Sequence, residues 1–318
     1  MAKKNILLVD GENILHQSFH KFEKLKSTDG RPSGAIFGFF KSLHMYITRF
    51  NPDDVYVTFD NGHSSVRTKL LPNYKGHRKN ISVDYESLHE QKRQIMVILR
   101  CLRIKYIFDK KNINDYEGDD FLAYLALKKF RYDRYKIILV SSDKDFNQLI
   151  NKDLRIFNPR KEEIIREENC KDIYGYEPKE TVDYLSLIGD ASDDIPGFPG
   201  IGPVKARKFL DFFGSIQGFI SYNVADNVTT ENKRNAWIKF RFNDKNLHDM
   251  KKLQERNMKL IDLNWFIKNT KMKELPIREY TKRSGLNMKK FKEICISYSL
   301  SSFLTNNFIN IFEQLIKK

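Results

Sequence analysis

Four short apolar runs in the first half of this chain each lead directly into acidic residues. The runs and the acidic residues that follow them are Asn5–Val9 with Asp10, Val55–Phe59 with Asp60, Ile104–Phe108 with Asp109, and Ile137–Val140 with Asp143 and Asp145. The carboxyl ends of the strands in an open parallel sheet face one crevice. The pattern therefore predicts an α/β fold whose carboxylates meet at one edge of the sheet.

Carboxylates crowded at one edge would repel one another unless cations neutralised them. Hard divalent cations such as Mg²⁺ are the natural partners, because they take oxygen ligands and act together with phosphate groups. The structural alternative is that an aspartate after a strand is an ordinary turn or helix-capping residue. That alternative explains one or two of these positions well and the whole set poorly.

A further acidic motif, YEGDD at 116–120, opens a predicted helix. Residues three apart on a helix share a face, so Glu117 and Asp120 point together while Asp119 is offset by one position. At the first turn, all three can still reach a crevice at the strand ends. An acidic helix start favoured by the helix macrodipole is an equally good explanation of this motif taken alone.

The segment GDASDDIPG at 189–197 adds a second pair of aspartates spaced three apart, Asp190 and Asp193, on a loop or helix end. Asp194 has the weakest case for a role. Like the aspartates of SSDKD at 141–145, these residues could supply two ligands to one metal ion.

The order of apolar runs and helical stretches over residues 5–160 predicts a mostly parallel sheet with helices between the strands. We predict helices at 34–49, 87–101, 118–130 and 144–150, a short strand at Leu154–Phe157, and later helices at 178–190, 204–213 and 303–315. The segment 61–84 is basic and contains Gly and Pro, so we expect a long functional loop there.

The chain carries a formal net charge of +15, and the excess is concentrated in its last third. Residues 191–318 contain 23 Lys and Arg against 13 Asp and Glu. A basic excess of this size favours a polyanionic partner, most often nucleic acid. A lysine-rich proteome is the competing explanation, and charge alone favours nucleic acid only modestly.

The sequence GFPGIGPVKA at 197–206 predicts a glycine-rich hairpin that leads into a helix. Gly200 and Gly202 allow close approach of the backbone, and Pro203 suits the first turn of a helix. The exposed N–H groups at such a helix start can bind a phosphate, with the charges of Lys205 and Arg207 beside them. A contact of this kind involves no base, so it predicts binding without sequence preference. The alternative is an ordinary turn between packed helices.

The loop that follows Asp60 is rich in basic residues and carries one aromatic residue, Tyr74; the basic residues are Arg67, Lys69, Lys75, His77, Arg78 and Lys79. Most basic loops are simply solvated. Because this one starts beside the acidic crevice, we expect it to hold a phosphate or stack a base near the metal ions.

The three cysteines, Cys101, Cys170 and Cys295, fit neither a zinc spacing nor a disulfide framework, and we expect reduced core residues. No apolar run approaches the roughly 18 residues that a membrane helix requires. The first strand begins near residue 5, so we expect no signal or transit peptide.

Taken in order, the motifs LLVDG, TFD, NYKGHR, YEGDD, SSDKD, GDASDDIPG and PGIGPVKA resemble the structure-specific 5′-nuclease superfamily. That superfamily includes flap endonucleases, the 5′–3′ exonuclease domain of bacterial DNA polymerase I and stand-alone bacteriophage 5′-nucleases of the RNase H/exonuclease type. The match runs from residue 5 to about residue 210, and the C-terminal region resembles the phage enzymes more loosely.

The resemblance implies a PIN-like, mostly parallel twisted sheet flanked by helices, a helical arch, a helix–three-turn–helix element and a helical C-terminal region. The implied division is a catalytic domain at 1–190 and, at 191–318, the helix–three-turn–helix element with a basic helical extension.

The resemblance also implies roles for individual residues. The first metal cluster falls on Asp10, Asp60, Glu117 and Asp119, and the second on Asp143, Asp145 and Asp193, with Asp120 and Asp190 as supporting carboxylates. The arch residues fall on Lys75 and Arg78 beside Tyr74, the hairpin lysine falls on Lys205, and the nucleic-acid-binding set also includes Arg67, Gly200, Gly202 and Arg207. The chain departs from the family pattern at Asp194, where Asn is usual, and at Pro199 and Pro203, which stiffen the hairpin.

The activity so implied is Mg²⁺-dependent hydrolysis of phosphodiester bonds near 5′ ends of DNA or RNA–DNA duplexes, with RNase H activity as a further possibility. Two Mg²⁺ ions, replaceable by Mn²⁺, and a K⁺ ion at the helix–three-turn–helix element are the implied cofactors. The implied setting is the cytoplasm of a bacterial or phage-infected cell, where a monomer removes flaps or RNA primers and meets replication proteins.

Two alternatives remain at the level of sequence. A non-catalytic DNA-binding homologue would not need the complete acidic set that this chain retains. A PIN-type ribonuclease acting on single-stranded RNA would not need a helix–three-turn–helix element.

Overall fold

The computed structural model describes residues 3–60, 62, 64–76, 84–108, 115–130, 132–222, 236–274 and 285–318. A six-stranded sheet lies at its centre, with the strand order β3-β2-β1-β4-β5-β6. Its strands are β1 (Lys4–Asp10), β2 (Asp54–Thr58), β3 (Lys105–Ile107), β4 (Tyr135–Val140), β5 (Leu154–Asn158) and β6 (Glu163–Ile165). All neighbouring strands are parallel except β5 and β6.

The register of the three central strands brings their ends together. Val9 of β1 pairs with Val57 of β2 on one side and with Val140 of β4 on the other. The residues that follow these positions therefore emerge side by side at one edge of the sheet. This is the arrangement that the acidic residues after the apolar runs predicted.

Helices cover both faces of the sheet. The α-helices are α1 (Gly11–Lys21), α2 (Gly34–Phe50), α3 (Ser65–Leu70), α4 (Tyr85–Cys101), α5 (Gly118–Tyr124), α6 (Glu167–Tyr174), α7 (Thr181–Ile188), α8 (Pro203–Phe213), α9 (Ile216–Ser221), α10 (Ala236–Phe242), α11 (Asp244–Ile261), α12 (Leu263–Asn269), α13 (Met288–Ser297) and α14 (Asn306–Lys317). Within the ranges described, no helix combines the length and apolarity needed to cross a bilayer.

The α/β fold and its five predicted strands are confirmed, and three local predictions need correction. The segment 61–84 is not all loop, because Ser64 caps a short helix, α3, by accepting a hydrogen bond from the Arg67 amide. The predicted helix at 118–130 continues beyond α5 as a π-helix, Leu125–Lys129. The predicted helix at 144–150 is a 3₁₀ helix, Lys144–Leu149.

The structure adds elements that the sequence patterns did not predict. Helix α1 follows β1 without a loop, because Asp10 ends the strand and caps the helix at once. Strand β6 and helix α6 extend the sheet region beyond residue 160.

Three apolar clusters form the core, and they join parts of the chain on both sides of residue 190. One cluster lies between the sheet and helices α2 and α4, and it includes Phe291, Phe308 and Phe312 of the C-terminal helices. The second lies on the other side of the sheet and includes Phe266 of α12. The third joins α7, α8, α9 and α11. The division at residue 190 therefore stays a prediction, and the C-terminal helices α13 and α14 pack on α4 and α2, within the first cluster.

The three cysteines are buried and unpaired, as the sequence predicted. Cys101 and Cys295 belong to the first cluster, and Cys170 belongs to the second.

Candidate active site

Asp10 lies at the centre of the acidic edge and is held by two hydrogen bonds. One carboxylate oxygen accepts from the Asn13 amide at 2.9 Å, and the other accepts from the Ser141 hydroxyl at 2.7 Å. The first bond makes Asp10 a helix cap, so the structural alternative is correct for this residue without excluding a metal role. Burial, followed by the charges of Asp60 and Asp143, raises the pKa of Asp10 to about 7.

Asp60 follows β2 and faces the start of α5. One of its carboxylate oxygens accepts a hydrogen bond from the Gly118 amide at 2.6 Å. Burial raises the pKa of Asp60 to about 6, with further contributions from the charges of Glu12 and Glu117.

Helix α5 carries Asp119 into the same group. Burial is the main cause of a pKa well above the usual range for Asp119, and the charges of Asp10, Asp143 and Asp60 add to it. Carboxylates from β1, β2, β4 and α5 therefore lie close enough to repel one another, as the strand-end pattern predicted.

The aspartates of SSDKD stand on the turn after β4. Asp143 accepts a hydrogen bond from the Asp145 amide at 2.8 Å, and its own amide donates to the Ser141 hydroxyl at 3.0 Å. Burial and the charges of Asp143, Asp190 and Asp193 raise the pKa of Asp145 well above its usual range. Oxygen Oδ1 of Asp145 is buried and has no hydrogen-bond partner among the described residues.

Asp190 is buried beside Asp143 and Asp145. Its Oδ1 accepts hydrogen bonds from the amide of Ser192 at 2.8 Å and from its hydroxyl at 2.6 Å. Its Oδ2 lies 3.5 Å from the ammonium group of Lys144. These contacts suit the supporting role predicted for Asp190.

Lys75 and Tyr74 occupy the space between Glu117 and Asp193. The Lys75 ammonium lies 2.9 Å from Glu117 Oε2 and 3.7 Å from Asp193 Oδ2, and the Tyr74 hydroxyl contacts the same two oxygens at 3.1 and 2.9 Å. Burial alone would raise the pKa of Glu117, but the charges of Lys75 and Arg67 outweigh it and lower the pKa to about 2. Lys75 thus acts as the counter-ion of the acidic cluster.

The structure places Arg67 and Asp120 differently from the prediction. Arg67 is only 3% exposed, and its guanidinium forms two hydrogen bonds with Asp120, at 2.9 and 2.7 Å. A third bond joins Arg67 to the Leu260 carbonyl at 3.1 Å. Asp120 is fully buried and also accepts from the Glu117 amide. This pair ties α3 to α5 below the site, so neither residue is available in this structure to a phosphate or a metal ion.

Tyr74 also differs from its predicted role, because its side chain is buried and its hydroxyl is used by two carboxylates. It is not placed to stack on a base. Arg78 and Asp109 lie outside the described residues.

The donor set fits a divalent cation, although it is not arranged around a single point. Among the described residues, no group of three carboxylates converges as the ligands of one ion would. Lys75 and Tyr74 account for part of this lack of convergence, because their side chains lie between Glu117 and Asp193 and contact both carboxylates. The buried oxygen of Asp145 that lacks a partner and the raised pKa values of Asp10 and Asp119 show that the crevice is short of positive charge. Oxygen ligands in such surroundings suit a hard cation.

Two residues of the site were missed by sequence reasoning, Glu12 on α1 and Lys92 on α4. Lys92 lies 2.7 Å from both Glu12 Oε2 and the main-chain oxygen of Asp60. Burial raises the pKa of Glu12, but the hydrogen bond with His16 and the charge of Lys92 outweigh it, and the net pKa is lowered. Glu12 could have been predicted as a site residue, because it stands two residues after Asp10. Lys92 could not, because it lies in a helix of mixed charges.

The glycine hairpin lies at the start of α8, as predicted. Gly200 has a φ of +78°, while Gly202 caps the helix with a φ of −96°. A Cβ atom added at either glycine would have no heavy atom within 4 Å, so both face open space. The Lys205 ammonium donates to the Gly200 carbonyl at 2.9 Å, and Arg207 packs against Gly175.

A parallel sheet with an acidic crevice, together with a glycine hairpin at a helix start, agrees with the resemblance of the sequence to 5′-nucleases. The chain belongs to the 5′-3′ exonuclease family. The model of that family's N-terminal, resolvase-like domain matches residues 5–175, and the model of its C-terminal SAM fold matches residues 176–280. The chain is accordingly a phosphodiester hydrolase.

Relatives support this assignment at the level of sequence. The 5′-3′ exonuclease of Aquifex aeolicus is 32% identical over 217 residues, which is 68% of this chain and 72% of the relative. That of Buchnera aphidicola subsp. Baizongia pistaciae is 32% identical over 280 residues, 86% of this chain and 88% of the relative. The thermostable DNA polymerase I of Thermus aquaticus is 32% identical over 218 residues, 69% of this chain and 25% of the polymerase.

Solved structures share the fold. The T5 D15 protein co-crystallized with metal ions has a TM-score of 0.65 at 18% identity, covering 92% of this chain and 99% of its own. The bacteriophage T5 D15 flap endonuclease in a pseudo-enzyme-product complex with DNA and metal ions has a TM-score of 0.66 at 20% identity, with the same coverage. The catalytic core of Rad2 with DNA substrate has a TM-score of 0.51 at 17% identity, covering 99% of this chain and 91% of its own.

Proposed function

We propose that this nuclease uses Mg²⁺ to hydrolyse phosphodiester bonds near the 5′ ends of strands in duplexes that carry flaps, nicks or RNA primers. The observation that carries the proposal is the acidic crevice, where burial and mutual repulsion raise the pKa values of Asp10, Asp60 and Asp119. Carboxylates that resist ionisation in this way are stabilised in their charged form by a bound cation. Mn²⁺ is expected to substitute, because it accepts the same oxygen ligands.

The carboxylates divide into two groups that would each hold one ion. The first group is Asp10, Asp60, Glu117 and Asp119, and the second is Asp143, Asp145 and Asp193, supported by Asp190. Two divalent ions held by these carboxylates would supply an activated water and stabilise the leaving 3′ oxygen. Asp120, which the resemblance implied as a supporting carboxylate, is left out because Arg67 donates to both of its oxygens.

The neighbouring residues orient these ligands and contact the substrate. The Ser141 hydroxyl and the Asn13 amide fix both oxygens of Asp10, which leaves the carboxylate in one orientation. We assign Lys75 and Arg78 to the scissile phosphate, where a positive charge stabilises the charge that develops in the transition state. The contacts of Lys75 with Glu117 and Asp193 support this assignment, because they place its ammonium beside the proposed ligands.

The hairpin is the proposed contact for the downstream duplex. Its helix start presents backbone N–H groups, and the open space around Gly200 and Gly202 lets a phosphate backbone approach. Lys205 and Arg207 supply charge at the same place. We also assign the predicted K⁺ ion to this element, where the Gly200 carbonyl, which accepts from the Lys205 ammonium, offers an oxygen ligand.

The proposed biological role is removal of RNA primers or 5′ flaps during replication. We expect a monomer that works in the cytoplasm of a bacterial or phage-infected cell, in contact with replication proteins. RNase H activity belongs to the same proposal, since an RNA primer paired to DNA presents a 5′ end of the same kind.

The test is a cleavage assay on labelled 5′-flap, nicked, RNA-primed and single-stranded substrates, with Mg²⁺, Mn²⁺ or excess EDTA. We expect cleavage near the 5′ end of the duplex substrates with either metal and none in EDTA. Strong cleavage in EDTA would refute the metal proposal. Binding of flap substrates without cleavage would favour the non-catalytic alternative, and cleavage of single-stranded RNA alone would favour the PIN-type ribonuclease.

A further inference from the structure

The backbone amide and carbonyl groups of Asp60 both form hydrogen bonds with one largely buried ion pair, Glu12 and Lys92. The Asp60 amide donates to Glu12 Oε2 at 3.2 Å, and the Asp60 carbonyl accepts from the Lys92 ammonium at 2.7 Å. The same ammonium lies 2.7 Å from the same Glu12 oxygen. Helices α1 and α4 thus hold one residue of the acidic crevice from two sides.

The ion pair provides hydrogen bonds to the backbone at the point where β2 leaves the sheet. The last residue of β2 in register with its neighbours is Thr58, and the next backbone bond is that of the Phe59 amide to the Ile107 carbonyl at 3.0 Å. Asp60 lies beyond this ladder. The ion pair of Glu12 and Lys92 therefore supplies the hydrogen bonds that a further strand residue would have made.

The burial of Lys92 makes the pair costly as a purely structural device. Lys92 is only 8% exposed, and cation–π contacts of its ammonium with Phe59 and Phe108, 5.6 and 5.5 Å from the ring centres, offset only part of the cost of removing it from water. Removing two charges from water costs several kcal/mol per ion, and apolar residues of similar volume often stabilise a fold better. An ion pair in these surroundings that binds the backbone of a site residue points to a role at the site.

We propose that Glu12 and Lys92 are positioning residues that fix the backbone of Asp60, so that its carboxylate stays directed at the crevice. The pair touches neither substrate nor reacting atoms. Among the described residues, the other hydrogen bond that holds Asp60 is the one that its side chain accepts from the Gly118 amide at 2.6 Å. The inference rests on the proposed function, because it assumes that Asp60 holds a divalent cation.

The test compares three variants with a matched control. Lys92→Met removes the charge and both hydrogen bonds, Lys92→Arg keeps charge and donors, and Glu12→Gln keeps the shape of the acceptor without its charge. Lys105→Met is the control, since Lys105 forms a similar half-buried ion pair with Asp54 at the other end of the same strand. The measurements are kcat and KM on a 5′-flap substrate, Mn²⁺ binding followed by electron paramagnetic resonance, and Tm.

Loss of a partner that orients a metal ligand typically lowers activity or metal affinity about 10–100-fold. We expect a loss of this size in kcat and in Mn²⁺ affinity for Lys92→Met, an unchanged KM, and recovery to within several-fold for Lys92→Arg. Lys105→Met should leave kcat and Mn²⁺ binding at the wild-type values. Glu12→Gln should show the same pattern with a smaller loss, because the amide oxygen still accepts a hydrogen bond, and it decides the question if Lys92→Met does not fold.

Wild-type kcat and Mn²⁺ affinity in Lys92→Met and Glu12→Gln, with only Tm lowered, would overturn the proposal and leave an ordinary ion pair. Failure of the proposed function looks different. In that case the wild-type protein itself would bind no Mn²⁺ or would cleave in EDTA.

Discussion

The ammonium group of Lys75 lies 2.9 Å from the carboxylate of Glu117, inside the acidic crevice. The sequence predicted both residues for the site but not their contact with each other. Lys75 has a left-handed backbone, with a φ of +55°, and its amide donates to the Asp193 carbonyl at 3.0 Å. The residue is therefore anchored at the crevice by its backbone as well as by its charge.

Lys75→Ala should lower kcat by about 10²–10³, which is the usual cost of losing one electrostatic contact made in the transition state. DNA affinity should change little. Single-turnover cleavage and equilibrium binding of a 5′-flap substrate measure the two effects separately. Lys69→Ala, at an exposed position of α3, is the control for losing one surface charge. An effect confined to KM would show that Lys75 only docks the substrate.

Asp143→Asn should abolish turnover and keep or tighten DNA binding, because it removes a proposed metal ligand and reduces repulsion of phosphate. The amide keeps the shape of the side chain, so the fold should persist. Cleavage assays and fluorescence anisotropy are the measurements. Asp172→Asn, exposed on α6, is the matched control. Cleavage by Asp143→Asn at the wild-type rate would show that the second metal group is wrongly placed.

The metal-free protein should become more stable as the pH falls from about 8 to about 5. Burial, the largest cause, raises the pKa of Asp10 to about 7 and that of Asp60 to about 6, from an ordinary value of 3.8. The native state therefore binds protons that the unfolded chain releases, and the free energy of unfolding decreases as the pH rises through this window.

Glu117 has the opposite effect on the pH dependence of stability, and this effect is confined to lower pH. Its folded pKa of about 2 adds stability above its ordinary value of 4.5, and that stability is lost as the pH falls toward 2. Tm measured in EDTA between pH 5 and 8 should therefore fall as pH rises, and saturating Mg²⁺ should remove the trend by binding the ionised carboxylates. A Tm in EDTA that rises with pH would contradict the assignment.

Gly202→Val should weaken duplex binding for all sequences and leave Tm unchanged. An added Cβ atom meets nothing within 4 Å, and the φ of −96° suits valine, so we expect the side chain to obstruct an approaching phosphate rather than the fold. Gly285→Val, at another position with open space, is the control.

Lys205→Ala should lower the salt slope of DNA binding by about one, which is the change expected when one phosphate contact is lost. Equal loss of activity on single-stranded and flap substrates would show that the hairpin has no duplex-specific role.

The strand-end carboxylates were predictable from sequence because parallel strands must end at a common edge. Asp10 and Asp60 needed no knowledge of tertiary contacts. The burial of Arg67 and Tyr74 could not be predicted, because a basic loop resembles a solvated or DNA-binding one until its partners are known. The partner of Arg67, Asp120, lies 53 residues away and was itself counted among the metal ligands.

Lys92 was not predictable for a related reason. A lysine in a helix rich in charged residues is usually solvated, and its burial depends on the ends of β2 and β3 meeting α4. Such contacts arise from the fold and leave no periodic pattern in the sequence.

The C-terminal helices complete the core that supports the crevice. Phe303 stacks on Phe37 of α2, and Phe308 stacks on His44 of the same helix, contacts that join residues more than 260 positions apart. During translation, the outer faces of α2 and α4 stay uncovered until α13 and α14 leave the ribosome. The nuclease is thus expected to remain inactive as a nascent chain and to acquire activity only late in synthesis. Ribosome-stalled chains that stop before α13 should be protease-sensitive and without cleavage activity.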